Sequence, residues 1–301
     1  DFLAQHGSDE HPRRWAGEAR LNIRSYCTTS IPSRTPAQVD ATIPRLAAIK
    51  NTMFRGNDYI DVYTYAEHLY QPVGDNMVAV KATAKQEDYA QWGRLARELA
   101  KNGIPINQHA TLVDAIDGLL DQIEEINKDY PVRNLRWALI HLDQLSAEQM
   151  ERMKKLGMSA GVQPRSIIMG GIFHRVHSKA LADATPPFRT IQESGLMWGL
   201  GTDAFEVNQY RPFTTLSFAV TGKMVGGDVV NTQTISREDA LIAHTRSNAY
   251  FVFQENNLGS IANGKLADLV VLDRDYLTIP ADQIKDIQPL MSMVGGKILW
   301  G

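Results

Sequence analysis

Apolar and polar positions along the chain switch between two periods, and each switch predicts an element. Residues 21–26 alternate as a strand does, and residues 59–65, rich in Tyr and Val, predict a second strand. Between them Val39, Ile43, Leu46 and Ile49 recur at helical spacing, which predicts a helix over 37–54. Two further helices are predicted over 87–102, closed by Gly103, and over 112–127, where Ile116, Leu119, Leu120, Ile123 and Ile126 share one side. Strands are expected over 104–108, 136–142, 157–163 and 196–202. Ser146 with Gln149 forms a capping-box pair that opens a helix ending at Gly157. Ser236 and Asp239 open another, running to about Phe253. Residues 165–195 and 204–235 read as long connections rich in Gly, Pro and Thr, a length that usually carries function. In the tail, Gly259, Asn263 and Gly264 mark turns, and residues 267–273 predict a short, mostly buried strand.

Repeated strand–helix units with short connections predict an α/β fold, a parallel sheet covered by helices. A closed (β/α)8 barrel and an open doubly wound sheet both satisfy that pattern. No GxGxxG or GxxxxGK[ST] follows any strand, which lowers the odds of a nucleotide-binding open sheet. Six strands precede the tail, two short of a barrel, and a barrel reading therefore expects strands 3–8 here and the first two upstream of Asp1.

Composition alters this picture only at its edges. A net charge of −3 gives no reason to expect nucleic acid or an anionic membrane as a partner. The single cysteine, Cys27, excludes an internal disulfide framework and a Cys-rich zinc site, and fits a reducing, cytoplasmic compartment. No apolar run approaches the ~20 residues of a membrane span.

The candidate chemistry sits where strands end. His109 closes GIPINQH, His141 closes RWALIH, and Asp203 closes LMWGLGTD. In a parallel barrel the carboxyl ends of the strands converge on the face that holds the active site. Two imidazoles and a carboxylate form a natural zinc set with a position open for water. The plainer reading stands beside it: a lone His at a strand end is usually a hydrogen-bonded structural residue, and an Asp after Gly-Thr commonly caps a turn. Trp137, Trp198 and Trp300 fall in strand-like contexts and read as core. Phe205, Tyr210 and Phe213 follow Asp203 and are placed to line an apolar substrate pocket. His244 lies inside a helix and reads as structural.

The tail LGSIANGKLADLVVLD, together with INQHATLVDAID, RWALIHLDQLSAEQMERMKKLGMSAGVQP and GLMWGLGTDAF, resembles the metal-dependent amidohydrolase superfamily of urease and dihydroorotase. The likeness is nearest to the branch that includes the N-substituted formamide deformylases. It implies part of a (β/α)8 barrel, strands 3–8, over residues 1–257, followed at 258–301 by C-terminal strands of a small β-sandwich. It implies a metal-dependent hydrolase of C–N bonds in small molecules, holding one or two divalent ions, zinc for preference. By the same resemblance His109 and His141 are metal ligands or touch the substrate carbonyl, Asp203 is a metal ligand that also shuttles the proton, and Glu67 in TYAEHLY is the nearest match to a fourth-strand ligand. From their own positions in the long connections, Arg189, His174 and Phe205 are substrate-contact candidates, although an exposed Arg and a loop His are the simpler readings of the first two. The chain departs from the pattern in two places. It contains no His-x-His, and Ile140 stands where many relatives carry Glu before His141. A true start near Asp1 favours a non-catalytic amidohydrolase-like scaffold over an enzyme, and a metal-free barrel isomerase or lyase using Asp203 as base is a third reading.

Overall fold

The computed structural model describes residues 22–204 and 209–301. It opens with β1 (Ser25–Thr29), α1 (Pro36–Ile49), β2 (Ile60–Glu67), α2 (Gln86–Lys101), β3 (Ile106–Ala110), α3 (Val113–Asp129) and β4 (Ala138–His141). Next come α4 (Ala147–Leu156), β5 (Ser159–Val162), α5 (Ser166–Val176), α6 (Lys179–Asp183), α7 (Phe188–Ser194) and β6 (Trp198–Leu200). The chain finishes with α8 (Pro212–Thr221), α9 (Arg237–His244), α10 (Arg246–Phe251), β7 (Leu269–Leu272), β8 (Pro289–Val294) and β9 (Lys297–Trp300). The fold is α/β. Its larger sheet keeps chain order, β1-β2-β3-β4-β5-β6, as consecutive strands of a (β/α)8 barrel do, and β7-β8-β9 form a separate sheet.

The chain divides into two compact units, one holding Lys81–Ile140 and Glu151–Ser159 with the segment up to Asn76, the other Met77–Val80, His141–Met150 and Ala160 onward. The 258–301 segment thus shares a unit with the strand and helix segments that precede it.

In the first unit β1, β2 and β3 pair in parallel. Helix α2 presents Tyr89, Trp92, Leu95, Ala96 and Leu99 on one buried face, and α3 presents Ile116, Leu119, Leu120, Ile123 and Ile126. These are the three- and four-residue steps of an amphipathic helix, which is why the two segments fold as helices and bury that side. Trp92 is wholly enclosed, and its indole N–H donates to the buried Gln108 Oε1 at 2.7 Å. Trp137 is enclosed too, donating to the Ile104 carbonyl at 3.0 Å.

In the second unit β5 and β6 pair in parallel, while β7, β8 and β9 pair antiparallel. Residues 165–195 and 204–235, read from sequence as long connections, contain helices α5 to α8. Helix α5 is apolar nearly all round, with Gly170 against Val230, so it offers no clean helical stripe for a periodicity argument to find. The helix expected from Ser236 to about Phe253 is interrupted at Thr245, whose φ of −125° and ψ of −80° separate α9 from α10.

Two expectations about burial are corrected. Trp300 is exposed rather than core, and β7 is not mostly buried: Val270 and Val271 stand about half exposed. Leu290 and Ile298 are exposed on the same small sheet. The first strand also lies later than expected, at Ser25–Thr29, with Leu21 outside the described residues.

Helices α2 and α3 approach each other through glycine. A Cβ at Gly118 would stand 2.5 Å from Tyr89 Cζ, and Tyr89 is buried, with packed neighbours to displace if its ring moves. Gly118→Ala therefore destabilises the protein by about 1–3 kcal/mol through overpacking, although Ala in an open helix position gains ~1 kcal/mol over Gly. Urea unfolding of the variant checks this, and an unchanged or raised midpoint would contradict the packing argument.

Candidate functional site

His109 is the next-to-last residue of β3, and Glu67 is the last of β2. The parallel register of these strands pairs Glu67 with Gln108, and His109 is the next residue along β3. His109 Nδ1 lies 3.0 Å from Glu67 Oε1. On the other side of the ring, Nε2 lies 2.9 Å from Asp75 Oδ1 and 3.0 Å from the Asp75 carbonyl. The Asp75 side chain is 1% exposed. Its carboxylate accepts backbone N–H bonds from Thr111, at 3.0 and 3.1 Å, and from Leu112, at 2.7 Å, just ahead of α3. Burial pushes the Asp75 carboxyl up, but His109 and these two amides outweigh it and hold the group below its usual range. Burial likewise pushes His109 down, yet its bonds and charge contacts with Asp75 and Glu67 raise it from 6.5 to about 9. His68 packs on the His109 ring with centroids 4.8 Å apart.

In the second unit His141 ends β4 and Asp203 follows β6. Both residues adopt left-handed backbone, with φ of 77° and 54°, as does the buried Leu142 at 56°. Non-glycine residues take such angles rarely, with His and Asp over-represented among them, and they collect at functional sites. The His141 backbone N–H donates to Gln163 Oε1 at 3.0 Å, fixing the turn out of β4. His141 Nδ1 and Asp203 Oδ2 are 3.8 Å apart, too far for a direct hydrogen bond. Asp203 Oδ2 is sealed from solvent and accepts no hydrogen bond among the described residues. A buried ion pair, Asp143 with Arg165, lies beyond these groups and joins the segments that follow β4 and β5.

The amidohydrolase family model matches residues 51–300. The chain belongs to the amidohydrolase family. As a family member it is 29% identical over 207 residues to protein LONG AFTER FAR-RED 3 of Arabidopsis thaliana, covering 66% of this chain and 35% of that protein. It is 27% identical over 214 residues to the N-substituted formamide deformylase of Arthrobacter pascens, covering 67% of this chain and 38% of that protein. An uncharacterized metal-dependent hydrolase of Pyrococcus horikoshii has a similar fold, with a TM-score of 0.69 at 19% identity over 91% of this chain and 55% of that one. This amidohydrolase chain thus spans little more than a third of the length of these curated relatives.

The remaining candidates fall elsewhere. His174 belongs to the last turn of α5 rather than to a loop, with Nε2 3.2 Å from the Val230 carbonyl and 3.5 Å from Asp183 Oδ1. Arg189 is exposed and donates to the carbonyls of Thr232, at 2.9 Å, and Thr234, at 3.2 Å, bracing that segment against α7. Phe205 lies outside the described residues. Tyr210 and Phe213 line a cavity of about 590 Å³ together with Leu216, His244 and Leu272; neither His141 nor Asp203 lines it. Burial pushes the His244 imidazole down in pKa. No described helix is long and apolar enough to cross a membrane. Sequence reasoning missed Asp75, because a single acid in the irregular VGDNM stretch carries no spacing signal.

The raised pKa of His109 makes the stability of the metal-free amidohydrolase depend on pH. The folded value, about 9, exceeds the ordinary 6.5, so the contribution is complete below about pH 6.5 and disappears as pH rises through 9. Melting temperatures in the presence of a chelator should therefore fall between pH 6.5 and pH 9. His109→Gln should flatten that slope.

Proposed function

We propose that the protein is a metal-dependent hydrolase that cleaves an amide-type C–N bond in a small molecule. One observation carries the reading: both nitrogens of the His109 ring face acceptor oxygens, Glu67 on one side and Asp75 on the other. A neutral imidazole has a single N–H and cannot satisfy two carboxylates at once. Either a second proton or a cation must sit between His109 and one of them. Family membership favours the cation.

Glu67, His109 and His141 each offer a ligand atom of the kind a divalent ion takes. Asp203 adds a carboxylate oxygen that accepts nothing from the described protein. A set of imidazole nitrogens and carboxylate oxygens without thiolate suits zinc and its first-row neighbours. Such an ion, when bound, supplies Lewis acidity toward a carbonyl oxygen and makes water acidic enough to attack near neutral pH. The chain's own groups supply the rest. Asp203 takes the proton of the attacking water as the water oxygen bonds to the carbonyl carbon. It returns that proton to the nitrogen as the C–N bond breaks, so the products are a carboxylic acid and an amine. The Gln163 bond to the His141 backbone holds that imidazole's strand end in position while this occurs. The likeness to an N-substituted formamide deformylase supports N-substituted formamides as the first substrates to try.

The test is hydrolysis of a panel of N-substituted formamides, other amides, carbamates and lactones by the zinc-supplemented protein. Release of amine is expected; a chelator should abolish it and added Zn²⁺ restore it. Asp203→Asn should lower kcat by roughly 10²–10⁴-fold, the usual worth of a positioned acid–base group. A protein that takes up no divalent ion, and whose Asp203→Asn variant works as well as the parent, would show the mechanism to be wrong.

A further inference from the structure

Asp75 belongs to no recognised motif of the chain, yet it is the most constrained group around His109. Its side chain is 1% exposed, and two backbone amides, those of Thr111 and Leu112, fix the carboxylate's position. Those amides are at the N-terminal end of α3, a seventeen-residue helix whose dipole favours an anion at this end. With its oxygens held from that side, Oδ1 remains 2.9 Å from His109 Nε2, and the Asp75 backbone carbonyl adds a second acceptor at 3.0 Å. The half-buried Glu67 faces the opposite nitrogen, Nδ1, at 3.0 Å; its side chain is 27% exposed.

The two sides of the ring are therefore unequal. The Nε2 side offers two acceptors belonging to one residue, sealed in the protein and braced by backbone. The Nδ1 side offers a more exposed carboxylate on the neighbouring strand, itself a metal-ligand type. We infer that Asp75 is the positioning residue of this site. It holds the proton on His109 Nε2 and so leaves Nδ1, on the Glu67 side, as the nitrogen that donates to the ion. A hydrogen bond from a ligating imidazole to a carboxylate fixes the tautomer and ring orientation and raises the basicity of the donor nitrogen, and removing such a partner typically weakens metal affinity by about 10- to 100-fold. The inference rests on the metal reading above, and it goes beyond that reading by assigning a second-carboxylate role and a specific ring nitrogen.

The test compares the parent protein with Asp75→Asn and Asp75→Ala. Asn keeps one acceptor oxygen but puts an NH2 donor in place of the other, so it cannot serve both the Leu112 amide, now on Oδ2, and Nε2–H, now on Oδ1, and it removes the charge; Ala removes both acceptors. Zn²⁺ dissociation constants come from competition with a chromophoric chelator, using variants shown to be folded by circular dichroism. The expected result is a loss in affinity of about 10-fold or more for Asn, larger for Ala. Long-range ¹H–¹⁵N spectra of the zinc-loaded parent should show His109 protonated at Nε2 and ligated at Nδ1. A folded Asp75→Asn with parental Zn²⁺ affinity, or zinc on Nε2, overturns the inference. A purely structural Asp75 would lower melting temperature while leaving the affinity of the folded variant unchanged. If the parent takes up no Zn²⁺, the metal reading fails by itself. The metal-free spectra then decide Asp75: a slowly exchanging Nε2–H in the parent, lost in Asp75→Ala, supports the positioning role, and its absence from the parent overturns it.

Discussion

A single imidazole held between two carboxylates is the interaction on which the rest of the site depends. Removing three ionisable groups from water is unfavourable unless their charges compensate, and an arrangement of two anions around one ring demands a net positive centre. In the metal-free state a second ring proton supplies that centre, and burial opposes it without prevailing. The neighbouring architecture follows from this demand. Gln108 braces the strand beneath His109 by accepting from Trp92 and donating to the His109 carbonyl, so the ring leaves the sheet from a rigid base. Against burial, His109 first and then the amides just ahead of α3 hold the Asp75 carboxyl below its usual range.

The scaffold does the positioning with ordinary means. Each chemically capable group sits at or just beyond the carboxyl end of a strand: Glu67 on β2, His109 on β3, His141 on β4, Asp203 after β6. In the first unit the parallel pairing of β2 with β3 brings Glu67 and His109 to neighbouring strand ends. The amphipathic faces of α2 and α3 are buried in the first unit, where Trp92 of α2 bonds to Gln108 of β3.

Much of this was legible beforehand, for identifiable reasons. Six strands were readable because each is a short apolar run bounded by turn residues, and His109, His141 and Asp203 were readable because each is a polar residue closing such a run. Glu67 could not be placed from the sequence alone, since TYAEHLY fits a strand end and an exposed loop equally well; the structure places it as the last residue of β2. Helices α5 to α8 were illegible because they are short or apolar on all sides, which erases the periodic signal. The burial of β7 and Trp300 was misjudged because β-branched and aromatic content reports strand propensity, whereas burial depends on what lies against the strand. Asp75 escaped notice because its role is set entirely by contacts distant in sequence: 36 residues separate it from Thr111.

The left-handed backbone at His141, Leu142 and Asp203 restricts how this site can change. Apart from glycine, few side chains sit comfortably at such angles, and β-branched or bulky ones do so worst. β-Branched replacements at these three positions cost stability, with Asn and Gly the least disruptive. Sequence change is therefore easier to accommodate in the segments that surround these three positions than at the positions themselves, where backbone shape narrows the choice of residue.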